Sequence, residues 1–412
     1  MLCKTYVISV ANGIAAACFD LELLRKRSTP GTKGLGKRTI LALMASKITA
    51  RVAAETGLPR LFPALAEEIG LSDLQSLLMN VYRERTAKFD GSDIRRAAQR
   101  ELVRSSKVDA RVFNQFDRTA FQVAQQFEAI ELSPIGPLGL NHVLGGIDQN
   151  NVLTTIRNAE VLGDPTTALA MECWHRRKGQ AHASEGRVVR LCCSQRVVRL
   201  QPFDEPGYSP HFRLFALVSA GRDRGSHGFE IQHLGEHIRF YLRLLAALND
   251  LGFSFREPLV EISDTSVVEA LLANAGIAPE DLREGVRAHV LGGSDRFLAD
   301  RSIKLPEVIE DPARELPAAT HFRLTRVKTE LIDELRREFP YAQFRFNLSR
   351  LEGLAYYRGL CFRISPMAPD GNRYPITDGG FMDWTARLLE NRKERLLATG
   401  IGTEFACVKY QG

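Results

Sequence analysis

The spacing of apolar residues changes character near residue 110, and that change limits the fold more than any other feature of the chain. Before it, Ile40, Leu41, Leu43, Met44, Ile48 and Val52 recur at helical spacing, as do Leu71, Leu74, Leu77, Leu78 and Val81. Ser72-Asp73 and Ser92-Asp93 are placed to cap two such helices. After it, a helix running to about Phe127 leads into a turn rich in proline and glycine, Ser133-Pro134-Ile135-Gly136-Pro137-Leu138-Gly139. Strand-like runs follow at 188–191, 212–218, 260–262 and 344–346. Among them lies an amphipathic helix over about 236–249, with Ile238, Leu242, Leu245 and Leu248 on one stripe. An α+β core built on an antiparallel sheet, preceded by a mainly helical region, accounts for this order. The expected division is a helical region at 1–110 and a core at 111–412, with a charged, proline-broken helical insertion at about 277–319.

At 412 residues and 44% hydrophobic, the chain can bury a full core as one extended domain or two. Its formal charge of +6 permits a polyanionic partner such as RNA or a nucleotide, but is equally common in proteins that bind neither. Seven cysteines, odd in number and without Cys-x-x-Cys spacing, fit a reducing, cytoplasmic setting and give no ground for a disulfide framework or a zinc site. The run from Tyr6 to Cys18 is faintly signal-like, with Lys4 before it and Ala15-Ala16-Ala17 near its end. Asn12-Gly13 interrupts it, so a buried strand or helix is the plainer reading. No stretch approaches the roughly 20 apolar residues that span a bilayer, and no membrane anchor is expected.

Six basic residues and no acid lie at 25–38, around Ser28-Thr29-Pro30-Gly31. Within this basic loop, Gly31-Thr32-Lys33-Gly34-Leu35-Gly36-Lys37-Arg38 comes close to a phosphate-binding loop. Arg38 stands where a Ser or Thr must follow the lysine, and no buried strand precedes it. A solvated basic turn is the plain reading; contact with RNA phosphates is the sharper one. The basic face over 88–100 carries the same pair of readings.

Five segments carry residues able to do chemistry. The first is Gly163-Asp164-Pro165-Thr166-Thr167-Ala168, followed by Glu172 and Arg176. The second is Val198-Arg199-Leu200-Gln201, a loop through Asp204-Glu205-Pro206-Gly207-Tyr208-Ser209-Pro210, and His211-Phe212-Arg213. The others are Glu352-Gly353-Leu354-Ala355-Tyr356-Tyr357-Arg358-Gly359-Leu360-Cys361-Phe362, then Gly379-Gly380-Phe381-Met382-Asp383, then Gly400-Ile401-Gly402-Thr403-Glu404-Phe405. Read alone, Asp164 to Thr167 is an ordinary Asp-Pro helix start with threonine capping, and Tyr356-Tyr357 is a core strand with aromatic packing. His233 and His237 are one helical turn apart, but no glutamate follows His233 and no third ligand is evident. Structural roles are expected for them and for Cys192-Cys193, with no metal site.

In that order, the last three segments resemble the closing part of the histidyl-type class II aminoacyl-tRNA synthetase catalytic domain. That family usually reads Arg-Gly-Leu-Asp-Tyr-Tyr-x-Gly-x-x-Phe, then Gly-Gly-Arg-Tyr-Asp, then a glycine-rich strand into a helix beginning Glu-Arg. The resemblance covers roughly the last 280 to 300 residues. It implies Arg199 at the α-phosphate of ATP with Arg213 beside it, Arg196 being the alternative register, and Gln201 in place of the glutamate that orients the adenine amine. It also implies Asp164 and Thr167 as acceptors for a substrate ammonium, and Tyr356 and Tyr357 as lining of the amino-acid pocket. Glu352, Phe381 and Phe405 stand where the family keeps arginines, Glu352 near the reacting carboxylate and Phe405 at the γ-phosphate. A phenyl ring cannot neutralise phosphate and a carboxylate repels it; each lost preorganised charge removes about 2–4 kcal/mol of transition-state stabilisation.

The expectation is therefore a paralogue that binds an amino acid or related small ligand with degenerate ATP-site arginines, resembling the regulatory subunit of ATP phosphoribosyltransferase. The alternative is an ATP- and magnesium-dependent ligase that forms an aminoacyl adenylate and passes the acyl group to a non-standard acceptor or RNA. No anticodon-binding domain is recognised, which disfavours tRNA charging. A homodimer is expected through the helix and strand at about 117–134.

Overall fold

A computed structural model describes residues 37–178, 187–201, 208–223, 225–278, 297–351, 353–354 and 356–411. The signal-like run, the basic stretch through Gly36, the loop tip from Asp204 to Gly207, positions 279–296 of the insertion and Glu352 lie outside the described residues. Contacts divide the chain into two compact units between Leu77 and Leu78. Helix α1 (Lys37–Thr56) belongs to the first, and α2 (Leu71–Thr86) runs across the division. Ser72 and Asp73 fall inside the first turn of α2 rather than at its cap. Asp90, not Ser92-Asp93, caps α3 (Gly91–Ala97): its side chain accepts from the Ser92 and Asp93 amides, and Asp93 reaches back to the Asp90 amide.

The second unit is built on an eight-stranded sheet in the order β1-β4-β5-β10-β9-β8-β6-β7. Its strands are β1 (Glu128–Ala129), β4 (Val189–Val198), β5 (His211–Arg222), β6 (Arg256–Asp264), β7 (Gln343–Phe346), β8 (Leu360–Met367), β9 (Thr377–Met382) and β10 (Glu394–Ile401). A small hairpin-like pair, β2 (Ile135–Pro137) and β3 (Ala159–Val161), stands apart. Pairing is antiparallel except at β1·β4 and β6·β7. The expected runs at 212–218, 260–262 and 344–346 fall within β5, β6 and β7, and that at 188–191 overlaps β4, which starts one residue later.

Two helical layers cover the sheet. On one face lie α4 (Ala110–Val123) and α6 (Gly228–Asn249), joined to it by Phe116, Phe215, Tyr241, Leu245 and Ile401. On the other, α5 (Pro165–Arg177) packs Leu169, Ala170 and Cys173 over Leu191, Cys193, Ala216 and Val218. Both layers bury β5 from Phe215 to Gly221, which explains its unbroken apolar run. Helix α4 ends at Val123, short of Phe127, because the chain must turn there to lay β1 beside β4. Helix α6 starts eight residues earlier than the apolar stripe suggests; Phe229, Ile231 and Leu234 extend its buried face over the sheet. The remaining elements that matter are α7 (Thr265–Asn274), α8 (Ala318–Val327), α9 (Trp384–Leu388) and α10 (Thr403–Tyr410). Among the described residues no helix is long and apolar enough to cross a membrane.

Candidate functional site

Because directly paired residues on neighbouring strands point to the same face, strand register alone assembles a row of side chains. From one edge it reads Cys193 on β4, Ala216 on β5, Gly400 on β10, Asp378 on β9, Arg363 on β8, Glu261 on β6 and Arg345 on β7. The row is small and apolar up to Gly400 and charged beyond it. At Gly400 an added Cβ would meet only the Phe215 carbonyl oxygen, at 3.7 Å, so the floor there is open. At Gly380 the Cβ would lie 2.5 Å from that of Cys361 and 2.7 Å from the Tyr357 ring; only glycine lets the ring lie against β9.

Besides Glu261 in this row, two carboxylates stand on this face that are each shared by a tyrosine and an arginine. Asp164 caps α5: its Oδ1 accepts from the Thr166 amide at 2.8 Å and the Thr166 hydroxyl at 2.7 Å. Its Oδ2 turns the other way and accepts from the Tyr356 hydroxyl and the Arg199 guanidinium, both at 3.3 Å. Arg199 is further fixed by donation from Nε to the Gly163 carbonyl at 2.7 Å and by the Phe212 ring beneath it. Asp378 accepts from the Tyr357 hydroxyl at 3.0 Å and from Arg350. The rings of Tyr356 and Tyr357 stand perpendicular, 5.4 Å apart, so one dipeptide serves both carboxylates.

Electrostatics keep these groups in defined states. Burial pushes both tyrosine hydroxyls well above their ordinary values, with Asp164 adding to the rise at Tyr356 and Asp378 at Tyr357. Both are therefore neutral donors. Burial works against the charge of Arg350, but Asp378 beside it more than offsets this, so its guanidinium stays charged. Glu261 is penalised by burial and rescued by donation from Arg363, Asn347 and Arg345, which brings its carboxyl down to about 2.

The residues expected from sequence do not all come together. Asp164, Arg199, Tyr356 and Tyr357 come together on the open face. Thr167 is fully buried and its hydroxyl donates to the Asp164 carbonyl at 2.8 Å, so the helix-start reading accounts for it. Gln201 is half-buried at the start of the β4–β5 loop, and Glu352 is outside the described residues. Arg213 does not join Arg199: it pairs across the ladder with Arg196, and both project to the opposite face. There Arg213 is held by Asp117 of α4, and Arg196 donates to Glu404 at 3.0 Å. Arg199, just past the end of β4, instead reaches Asp164 on the open face, while Arg196 points away from it.

Phe405, at the start of α10, stacks on Tyr208 with centroids 4.8 Å apart and meets the edge of Tyr374. Its neighbour Glu404 is buried and accepts from Ser106, Arg196 and the Arg213 amide. Arg350, Asp378, Arg363, Glu261 and Arg345 were not found by sequence reasoning; the signal was the alternation on β8 and β9, legible only once those strands are paired. His233 is paired with Glu236 at 2.7 Å, while His237 is fully buried between Ser219 and Thr399, and burial brings its pKa to about 3. Cys192 and Cys193 are buried on opposite faces, and burial raises the Cys192 thiol to about 12.

No protein-family model matches the chain, and no curated protein matches it. Solved structures do. An ATP phosphoribosyltransferase regulatory subunit/histidyl-tRNA synthetase from Bacillus halodurans is 16% identical, with a TM-score of 0.52 over 74% of this chain and 80% of that one. A histidyl-tRNA synthetase from Nostoc is 15% identical, TM-score 0.56, over 75% and 73%. A histidine–tRNA ligase subunit from Alicyclobacillus acidocaldarius is 13% identical, TM-score 0.54, over 74% and 94%. At these identities the likeness shows the fold: an α+β, histidyl-type class II synthetase-like domain.

Proposed function

We propose that this chain binds an amino acid or related small zwitterion on the open face of its sheet and does not charge tRNA. The observation that carries this reading is the pair of carboxylate–tyrosine–arginine sets, Asp164–Tyr356–Arg199 and Asp378–Tyr357–Arg350, beside the open floor at Gly400. Carboxylates with neutral tyrosine donors suit an ammonium, and the arginines suit a carboxylate. The residues present do not fit the phosphate site that the family implies. Arg213 lies on the opposite face and Phe405 is occupied in an aromatic stack, which leaves a polyphosphate without the two cations it would need there. A regulatory or sensor subunit is the role that agrees with a kept ligand face and a lost phosphate site.

A ligase that forms an aminoacyl adenylate is the second reading, favoured by Arg199, Arg350 and Arg363, which put three guanidiniums on one face. Amino-acid-dependent pyrophosphate exchange, run beside thermal shifts with the twenty standard amino acids, decides between them. A shift without exchange supports the binding role; exchange overturns it, and the absence of any shift overturns ligand binding by this class. Pairing of two copies through α4 and β1 belongs to the same proposal and is checked by sedimentation. Association with RNA through residues 25–38 is checked by salt-dependent tRNA retention.

A further inference from the structure

The strands end in a second cleft, away from the face just described. Glu394 and Gly400 sit six residues apart on β10, about 20 Å of strand. At the Glu394 end opens a cavity of about 390 Å³, whose charged lining includes Arg323, Arg358, Arg392, Arg395, Glu230 and Glu394.

Some of these charges are already committed and some are not. Arg323 is gripped by Asp264 through two nitrogens, Arg395 bridges Asp223 at 2.6 Å and Glu230 at 3.0 Å, and Glu394 is taken by Arg177 at 2.6 Å. Arg358 approaches Asp383 only to 3.8 Å, and Arg392 enters no ion pair among the described residues. The telling group is Glu230. Its side chain is 9% exposed and its Oε1 accepts from Arg395, yet its buried Oε2 has no hydrogen-bond partner among the described residues. His227 comes no nearer than 3.8 Å to the other oxygen, too far for a hydrogen bond. A buried carboxylate oxygen without a donor is unfavourable enough to call for one, and a ligand in the cavity supplies it once the Glu230 side chain turns that oxygen toward the opening.

We propose that this cavity is a second small-molecule site. It takes a zwitterion of amino-acid size, whose ammonium donates to Glu230 and whose carboxylate lies between Arg358 and Arg392. The volume suits such a ligand. The site also has a direct route to the first. Arg358 follows Tyr357 in sequence and its amide donates to the Phe381 carbonyl at 2.7 Å. Gly359, at φ +89°, donates to the Thr265 hydroxyl at 2.7 Å, and a Cβ there would press on the Arg323 guanidinium at 3.1 Å. The segment that presents Tyr356 and Tyr357 to one face thus forms a wall of the other cavity.

Titration calorimetry of the full chain with each of the twenty standard amino acids tests this, repeated on Arg358→Ala, Arg392→Ala, Glu230→Gln and Arg199→Ala. The expected result is an amino acid whose affinity falls tenfold or more in Arg358→Ala and Glu230→Gln and less than twofold in Arg199→Ala. Arg358 and Arg392 are exposed, so their truncations decide the matter if Glu230→Gln fails to fold. Affinities unchanged within twofold in all cavity variants, or no binding by any amino acid, overturn the proposal. Binding lost only in Arg199→Ala overturns this site and leaves the reading of the first face standing.

Discussion

Replacing Glu261 by Gln tests the charged half of the sheet face most directly. Its side chain is 4% exposed and sits between Arg345 and Arg363, with Asn347 donating at 2.8 Å. Burial alone would raise its pKa; the three donors more than reverse that, taking it from 4.5 to about 2. A depression of that size corresponds to about 3 kcal/mol of stability at neutral pH. Arg345 and Arg363 are 34% and 29% exposed, so water takes over part of their solvation once the carboxylate is gone. The net loss expected for Glu261→Gln at pH 7 is therefore about 2–4 kcal/mol.

The sign of the pH dependence follows from the depressed value. The folded pKa lies below the unfolded one, so the stabilisation is complete above about pH 5 and is lost as pH falls from there toward 2. Urea unfolding of wild type and Glu261→Gln at steps from pH 7 to pH 3, followed by tryptophan fluorescence, measures the difference. His237, whose folded pKa is also depressed, adds acid lability to both proteins alike and cancels in the comparison. A loss below about 1 kcal/mol at pH 7, or a difference that does not shrink by pH 3, would refute the account of Glu261 as the charged centre of this row.

Three further outcomes are expected. Arg177→Met breaks a pair whose members are 2% and 4% exposed and should cost about 3–5 kcal/mol by urea unfolding, most of it recovered in Arg177→Met/Glu394→Leu. Gly380→Ala forces a methyl into the Tyr357 ring and Cys361, and should cost about 1–3 kcal/mol by calorimetry while weakening ligand binding at the Tyr356-Tyr357 face. Phe405→Arg frees Tyr208 and returns a cation to the start of α10; ATP affinity in magnesium, measured by titration calorimetry, should rise about tenfold or more. An unchanged affinity would show that the missing cation is not what limits nucleotide binding.

The sheet was legible where a strand is apolar on both faces or alternates cleanly, as in β5 and β7, and less so where function thins the pattern. Thr377-Asp378-Gly379-Gly380 reads as a turn by composition, yet it opens β9: Gly379 clears Thr399 on one face and Gly380 clears Tyr357 on the other. Its glycines came to notice only through the family resemblance. The open-face set Asp164, Arg199, Tyr356 and Tyr357 was found from motifs, because each lies at or beside an element end where local sequence is distinctive. Arg213 was assigned to the wrong neighbour because sequence does not give the register of two strands joined by a long loop, and one residue of offset changes the face. Arg350 was passed over because its role depends on Asp378, 28 positions away and across the fold.

The sheet face changes from apolar to charged between β10 and β9, and this step determines what can lie on it. Toward β4 the floor open to a ligand is Gly400, which offers dispersion contact and no side-chain hydrogen bond; Ala216 and Cys193 beyond it are fully buried under α5. Toward β7 every position carries a full charge, each already matched by a neighbour: Asp378 with Arg350, Glu261 with Arg363 and Arg345. A polyphosphate would have to strip arginines from those carboxylates and leave the acids unpaired, which is costly in a partly buried setting. A zwitterion asks for less. On the proposed reading its ammonium adds to Asp164 or Asp378 without displacing the tyrosine donors, its carboxylate adds to the partly exposed Arg199, and its apolar portion covers the open floor at Gly400. The same argument sets the selectivity expected of the face: amino acids with apolar side chains should bind more tightly than charged ones, and a preference for a doubly charged ligand in the thermal-shift series would contradict it.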